Sequence, residues 1–268
     1  MTKNENKIRI TVLMAIYNCA DTLAEALDSL LAQTYQQFKV VLCDDCSTDN
    51  TYEVAQKYKE RFPEKFILIK NESNSKLPFS LNRCLEYADT EYVARMDGDD
   101  ISQPQRFEKE INFLDNNPEY AVVSSAMHYF DESGIFKTST VTEIPTKRNF
   151  IGTTPHAHAA AMIRTNVLKS VSGYTVKRWT RRGQDVHLWA KIYHSGNRGY
   201  NLSEPLYMMR DDAAAYKRRT VKEAIYSIRR NYEIYKLMDI SRLNIYGLIR
   251  PLIVAMLPKF IYDKLHKR

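Results

Sequence analysis

Apolar and polar positions alternate in two rhythms along the first 120 residues. Short apolar runs at 8–16, 38–42, 66–69 and 92–96 read as buried strands. Between them, apolar residues recur three and four apart. Leu23, Ala26, Leu27, Leu30 and Leu31 fall on one face of a predicted helix. Thr22 is placed to begin it, with Glu25 three residues on for a capping box. Further helices are predicted over 51–62 and 78–88. Another is opened by Pro104 and carries Phe107, Ile111 and Leu114. Strands alternating with helices imply crossover connections and a mainly parallel sheet.

Such sheets bind ligands in the crevice beyond the carboxyl ends of their strands. The residues there are Tyr17-Asn18, Asp44-Asp45, Asn71 to Lys76 and Asp97 to Asp100. Farther on, 121–125 and 159–163 look like strands. Residues 185–194 look like a helix with Val186, Trp189, Ile192 and Tyr193 inward. From Thr220 the chain reads as helical and basic. The division expected is a body at 1–213 and a tail at 214–268.

Composition narrows the class. The 268 residues are 44% hydrophobic and 26% charged, enough for a substantial core in one large domain. No run nears the roughly 18 apolar residues that span a bilayer. Residues 10–16, preceded by Lys7 and Arg9, faintly imitate a signal peptide. No small-residue cleavage site follows, so they read as a first strand and the expected location is the cytosol. Four cysteines are too few for a disulfide scaffold. Cys43 and Cys46 form a C-x-x-C, but a structural zinc needs a second ligand pair. His156 and His158 are too closely spaced to supply it. The formal charge is +7, and thirteen Lys or Arg against four Asp or Glu fall from Ala214 onward. Basic character is thus a property of the tail.

The strand ends carry the chemistry. Asp97-Gly98-Asp99-Asp100 gathers three carboxylates in four residues, which suits a hard divalent cation shared with substrate phosphates. A solvated turn is the plainer reading of that text alone. Asp44-Asp45 makes a second acidic strand end. It can accept from a base or ribose hydroxyl, while Ser47, Thr48 or Asp49 can cap the next helix. Neither G-x-x-x-x-G-K-[ST] nor G-x-G-x-x-G occurs, so metal and basic side chains must handle any phosphates. Asp185, in Arg181-Arg182-Gly183-Gln184-Asp185-Val186-His187-Leu188-Trp189, begins an apolar-faced helix. It reads either as a cap or as a general base.

In family order, these segments resemble glycosyltransferase family 2. The resemblance rests on residues 10–18 (ITVLMAIYN), 30–35 (LLAQTY), 41–49 (VLCDDCSTD), 92–106 (YVARMDGDDISQPQR) and 183–189 (GQDVHLW). It implies a GT-A fold, a nucleotide-binding α/β half with a mixed, mainly parallel sheet, here followed by a C-terminal helical extension. It also implies an inverting single displacement with Mn²⁺ or Mg²⁺. By position, Ala15, Tyr17 and Asp45 are expected at the nucleotide base, with Asp44 and Lys76 close by. Asp97 is expected at the ribose or diphosphate, Asp99 at the metal, and Asp185 as the base. Asp100 is expected to be supporting structure. Ala15 stands where proline is common, Cys46 replaces a frequent glycine, and Gln184 a frequent glutamate. The histidine often found after the last core strand is missing near Met209-Arg210-Asp211. Arg182, Lys217 and Arg218, with Arg219, are candidates for the diphosphate, and His158, with His156, for the acceptor.

The tail mixes Leu248, Ile249, Leu252, Ile253, Met256, Leu257, Phe260 and Ile261 with Arg250, Lys259, Lys264, Lys267 and Arg268. This is the composition of an interfacial amphipathic helix, or of a helix pair packed on the core. The expected partners are a nucleotide-sugar donor, UDP-linked by resemblance, a glycan or lipid-linked oligosaccharide acceptor, and the inner membrane surface. Another metal-dependent nucleotide enzyme, such as a nucleotidyltransferase, would need a phosphate loop after the first strand, which is absent. Nucleic acid is not an expected partner, because the strand ends are acidic.

Overall fold

The computed structural model describes residues 7–210, 220–241 and 243–256. Lys217, Arg218, Arg219 and the tail beyond Met256 lie outside those residues, as does the 213/214 division. The strands are β1 (Ile10–Ile16), β2 (Phe38–Asp44), β3 (Phe66–Lys70), β4 (Tyr92–Arg95), β5 (Ile101–Ser102), β6 (Val122–Asp131), β7 (Gly134–Thr138), β8 (Met162–Arg164) and β9 (Gly199–Arg210). The helices are α1 (Ala20–Leu31), α2 (Thr51–Arg61), α3 (Leu77–Glu86), α4 (Arg106–Asn116), α5 (Thr165–Ser170), α6 (Gln184–His194), α7 (Val221–Leu237) and α8 (Ile245–Met256).

One mixed sheet runs β3-β2-β1-β4-β8-β6-β9-β5, with β7 hairpinned onto β6. The four strands β3-β2-β1-β4 are parallel. Beyond them β8 is antiparallel to both β4 and β6, and β9 is parallel to β6. Side chains of β1 and β2 alternate between two cores. Ile10, Val12, Met14, Val40 and Leu42 meet Leu23, Leu27, Ala55 and Phe107 from α1, α2 and α4. Leu13, Val41 and Cys43 meet Leu81, Cys84, Leu188 and Trp189 from α3 and α6 on the other face. Burial on both faces explains the unbroken apolar runs. Each Val, Leu, Ile, Met or Phe among them contributes about 1.5–3 kcal/mol when fully buried.

Register fixes where the strand ends emerge. Ile16 pairs with Asp44, and Asp44 with Lys70, so Tyr17, Asp45 and Asn71 leave the sheet side by side. Leu13 pairs with Arg95, which brings Asp97 to the same edge.

Three local expectations are corrected. Helix α1 starts at Ala20, not Thr22, and has no capping box. Thr22 instead donates to Gly98 O at 3.0 Å, and Glu25 pairs with Arg210. The strand expected at 159–163 is only Met162–Arg164. Ala159, Ala160 and Ala161 are buried loop. None of Ser47, Thr48 or Asp49 is the N-cap of α2, which is Asn50. Asp49 accepts from Ala20 N–H at 3.2 Å and Thr51 N–H at 3.0 Å, joining the starts of α1 and α2.

Helix α7 packs on the core through Ile234 and Tyr235, and α8 packs against α7. Among the described residues no helix is long and apolar enough to cross a membrane.

Candidate active site

Asp45 organises the first wall. Its Oδ1 accepts from Asn71 Nδ2 at 2.7 Å and Ser75 N–H at 2.8 Å, and its Oδ2 from Lys76 N–H at 2.8 Å. The loop between β3 and α3 is thereby folded back onto the end of β2. Asp44 is fully buried. Its two oxygens accept from Ser47 N–H at 3.3 Å, and Lys70 Nζ stands 3.9 Å away. The intervening turn needs a left-handed residue, and Cys46 takes it at φ 62°. Cys43 and Cys46 diverge, toward Asn71 and Glu72 respectively, and all four cysteines are free.

A cleft of about 580 Å³ opens on this wall. Ala15, Tyr17, Asp45, Lys76, Arg181 and Arg182 line it, together with Asn74, Leu77, Ser80 and Glu223. Five of the positions named from sequence for nucleotide or phosphate thus share one cavity. Asp44 and Asp97 are not among them. Another hollow, of about 440 Å³, lies at the opposite ends of the strands around Asp89, Tyr92 and Arg164.

The acidic turn stands beside the cleft. Gly98 lets the turn approach Ile16 and Cys19. A Cβ there would lie 2.8 Å from Cys19 Sγ. Asp100 is buried and structural in its contacts, accepting from Tyr207 Oη at 2.9 Å and Arg210 N–H at 2.8 Å. Burial, then the charges of Asp97 and Asp99, push its pKa up to about 7. Asp99 is exposed, yet the protein around it and the Asp97 carboxylate hold its pKa above the ordinary value. Asp97 is ion-paired to Arg95.

Arg95 was not singled out from sequence. It is 2% exposed, with Nε and Nη1 unpartnered among the described residues. Its charge acts on Asp97, His158, Tyr174 and Asp185 alike. A charged residue in a buried strand was the available signal, because such a charge needs a partner.

Asp185 is the second residue of α6. Gly183, at φ 74°, turns the chain into that helix. Burial pushes the Asp185 carboxyl up, against a bond from the Val186 N–H and the charges of Arg230 and Arg95. Arg230 reaches over from α7 and donates from Nη1 to Arg182 O at 2.7 Å. Arg230 and Glu223 were also missed, because their proximity depends on how α7 packs.

His158 bonds Tyr174 Oη through Nε2 at 2.8 Å. Burial pushes its pKa well below the usual imidazole range, so it is neutral. His156 bonds Asn201 Oδ1 at 2.7 Å and Tyr193 Oη at 2.9 Å, a closed structural set.

Among the described residues no three His, Cys, Asp or Glu side chains converge as a metal cage. A magnesium-type site needs only one or two carboxylates plus substrate phosphates and water. Asp99, exposed and crowded by negative charge, fits such a partial site.

The sheet order and the crevice beyond its parallel strands define the GT-A class of glycosyltransferase fold. S. aureus TarS 1–349, solved in complex with UDP-GlcNAc, shares that fold. The TM-score is 0.72 at 21% identity, over 97% of this chain and 76% of that one. The profile described as glycosyl transferase family 2 matches residues 11–171, and the chain belongs to that family. EpsE of Bacillus subtilis, assigned as a glycosyltransferase, is 37% identical over 260 residues, 97% of this chain and 94% of EpsE. An Escherichia coli UDP-Gal:alpha-D-GlcNAc-diphosphoundecaprenol beta-1,3-galactosyltransferase is 29% identical over 97% of each chain. The protein is a glycosyltransferase.

Proposed function

We propose that the chain transfers a sugar, with inversion, from a UDP-sugar to a hydroxyl of a lipid-linked glycan in cell-surface polysaccharide assembly. The observation that carries this reading is Asp185. It is a carboxylate whose basicity is raised by burial, three residues from a wall of the 580 Å³ cleft. The printed substrates of the E. coli relative and the ligand of TarS support the donor and acceptor classes.

In this reading Ala15, Tyr17 and the loop pinned by Asp45 enclose the base and ribose. Lys76 and Arg182 meet the phosphates, and Asp44 keeps the turn beneath them in shape. Arg95 holds Asp97 toward the ribose or diphosphate. Asp99 would hold Mn²⁺ or Mg²⁺, which supplies Lewis-acid neutralisation of the leaving diphosphate. Asp185 takes the proton of the acceptor hydroxyl as its oxygen bonds the anomeric carbon. The bond from that carbon to the diphosphate oxygen breaks, and UDP leaves. The neutral His158 suits a hydrogen bond to a sugar hydroxyl. The apolar outer side of α8 suits peripheral contact with the cytoplasmic face of a membrane.

A panel of sugar nucleotides, assayed for UDP release with a lipid-linked acceptor and with Mn²⁺, Mg²⁺ or chelator, tests the reading. Asp185→Asn should lose transfer by about 10²–10⁴-fold while still binding UDP. Undiminished transfer by that variant would remove Asp185 as base, and metal-independent turnover would remove the Asp99 role.

A further inference from the structure

A second hollow, of about 280 Å³, lies between α7 and α8 and adjoins the donor cleft. Arg182 and Glu223 line both. Among the described residues its wall carries three guanidiniums, from Arg182, Arg230 and Arg250, against one carboxylate, Glu223. Thr220 and Ser227 add hydroxyls.

Two of the three forks are anchored by direct hydrogen bonds. Arg250 donates from Nη1 to Gly152 O at 2.9 Å, and Arg230 from Nη1 to Arg182 O at 2.7 Å and from Nη2 to Asn231 Oδ1 at 3.0 Å. Arg182 Nε stands 3.8 Å from Glu223. Burial lowers the Arg230 pKa, and the charge of Asp185 offsets this only in part. Excess positive charge in a partly buried space calls for an anion. Planar guanidinium forks match phosphate oxygens in pairs.

The two sides of α8 say what the phosphate is attached to. Arg250 and Val254, one turn apart, face the hollow. Ile245, Ile249, Ile253 and Met256 recur at helical spacing on the other side and are exposed, Met256 at 71%. A helix lying in a membrane interface sinks its apolar side among acyl chains and leaves its opposite side at headgroup depth. The arginine hollow then stands at the level where the phosphates of an amphiphile sit.

We propose that this hollow holds the diphosphate of the lipid-linked acceptor, beside the donor cleft and next to Asp185. This rests on the acceptor reading above.

The test is calorimetric titration of the full chain with farnesyl diphosphate, with saturating UDP and Mn²⁺ so that the donor cleft is filled. Arg250 is the residue to vary, because it lines the hollow and not the cleft. Arg250→Glu should weaken farnesyl diphosphate by about tenfold or more, and Arg250→Lys by much less. Inorganic diphosphate should compete and farnesol should not. Unchanged affinity in Arg250→Glu overturns the proposal. Equal competition by farnesol, or by phosphatidylglycerol vesicles lacking any diphosphate lipid, also overturns it. Transfer to a lipid-linked acceptor separates the two readings. A chain that transfers to that acceptor but does not bind farnesyl diphosphate fails here only, whereas one that transfers to no lipid-linked acceptor fails the acceptor reading.

Discussion

Arg230 lies across Gly183, so close that a Cβ on the glycine would stand 2.3 Å from Nη1. The glycine is also left-handed, at φ 74°. Both facts bear on Asp185 two residues later. Gly183→Ala must displace a guanidinium that ties α7 to the Arg182 carbonyl, and it adds strain at a positive φ. Together these should cost about 1–3 kcal/mol of stability. Transfer should fall more than UDP affinity, because the displaced guanidinium is a charge that acts on Asp185, the base. Urea midpoints and a kcat against Kd comparison check this. Wild-type kcat in the alanine variant would show that the approach is incidental.

Lys76 sits at φ 76° and ψ 159°, a region that favours glycine. Its N–H reaches Asp45 only because the backbone turns there. Backbone and side chain can therefore be separated. Lys76→Gly should be more stable than Lys76→Ala by about 1 kcal/mol, since only the alanine keeps the strain. If the ammonium serves the nucleotide, both should weaken UDP to a similar extent. A glycine variant binding UDP like wild type would confine Lys76 to a backbone role.

The parallel half of the sheet was legible because its strands are buried on both faces. Val12, Val40 and Leu42 have apolar neighbours on every side, and the text shows it. Strand β5 has two residues, and β7 is exposed throughout, so neither leaves a periodic trace. Strand β9 is continuous but its register against β6 shifts at Ser203-Glu204 and again at Leu206, on either side of Pro205. The capping box failed by tertiary competition, since Arg210 and Gly98 lie far from Thr22 and Glu25 in sequence. The same limit applies to the site. The candidate nucleotide and metal residues stood mostly at strand ends, where topology placed them, and Asp185 at the start of α6. Arg230 and Glu223 reach it through helix packing that no local pattern encodes.

Arg106 and Glu110 form an ion pair, Nε to Oε1 3.1 Å, with both side chains fully buried. Arg106 Nη2 also donates to Arg95 O at 3.0 Å, so the pair supports the strand that carries the Asp97 turn. Burial pushes Glu110 up to about 7, although Arg106 pulls it down. The folded pKa is thus above the unfolded one. The contribution of Glu110 to stability is complete below about pH 4.5 and is lost as pH rises through about 7. Arg106→Met leaves the carboxylate unpaired and should cost about 3–5 kcal/mol. The loss should be larger at about pH 8 than at about pH 5, where Glu110 can take up a proton. Equal losses at the two pH values, measured by denaturant unfolding, would count against an ionised pair.

Asp185 gives the sharpest kinetic prediction. A general base must be ionised when the acceptor hydroxyl attacks, so kcat rises with pH through its pKa. Burial raises that pKa, while Arg230 and Arg95 act against the rise. The acidic limb of the pH–kcat profile should therefore lie above the ordinary aspartate value of about 3.9. Removing one opposing cation should move it farther. Arg230→Met should carry the limb to higher pH, and Arg230→Lys should leave it close to wild type, because the charge remains. The position of the limb separates this effect from simple loss of packing, which lowers the plateau without moving the midpoint. Asp185→Asn should abolish the limb along with most of the rate. A limb that stays in place in Arg230→Met, or that survives in Asp185→Asn, would assign the titration to another group.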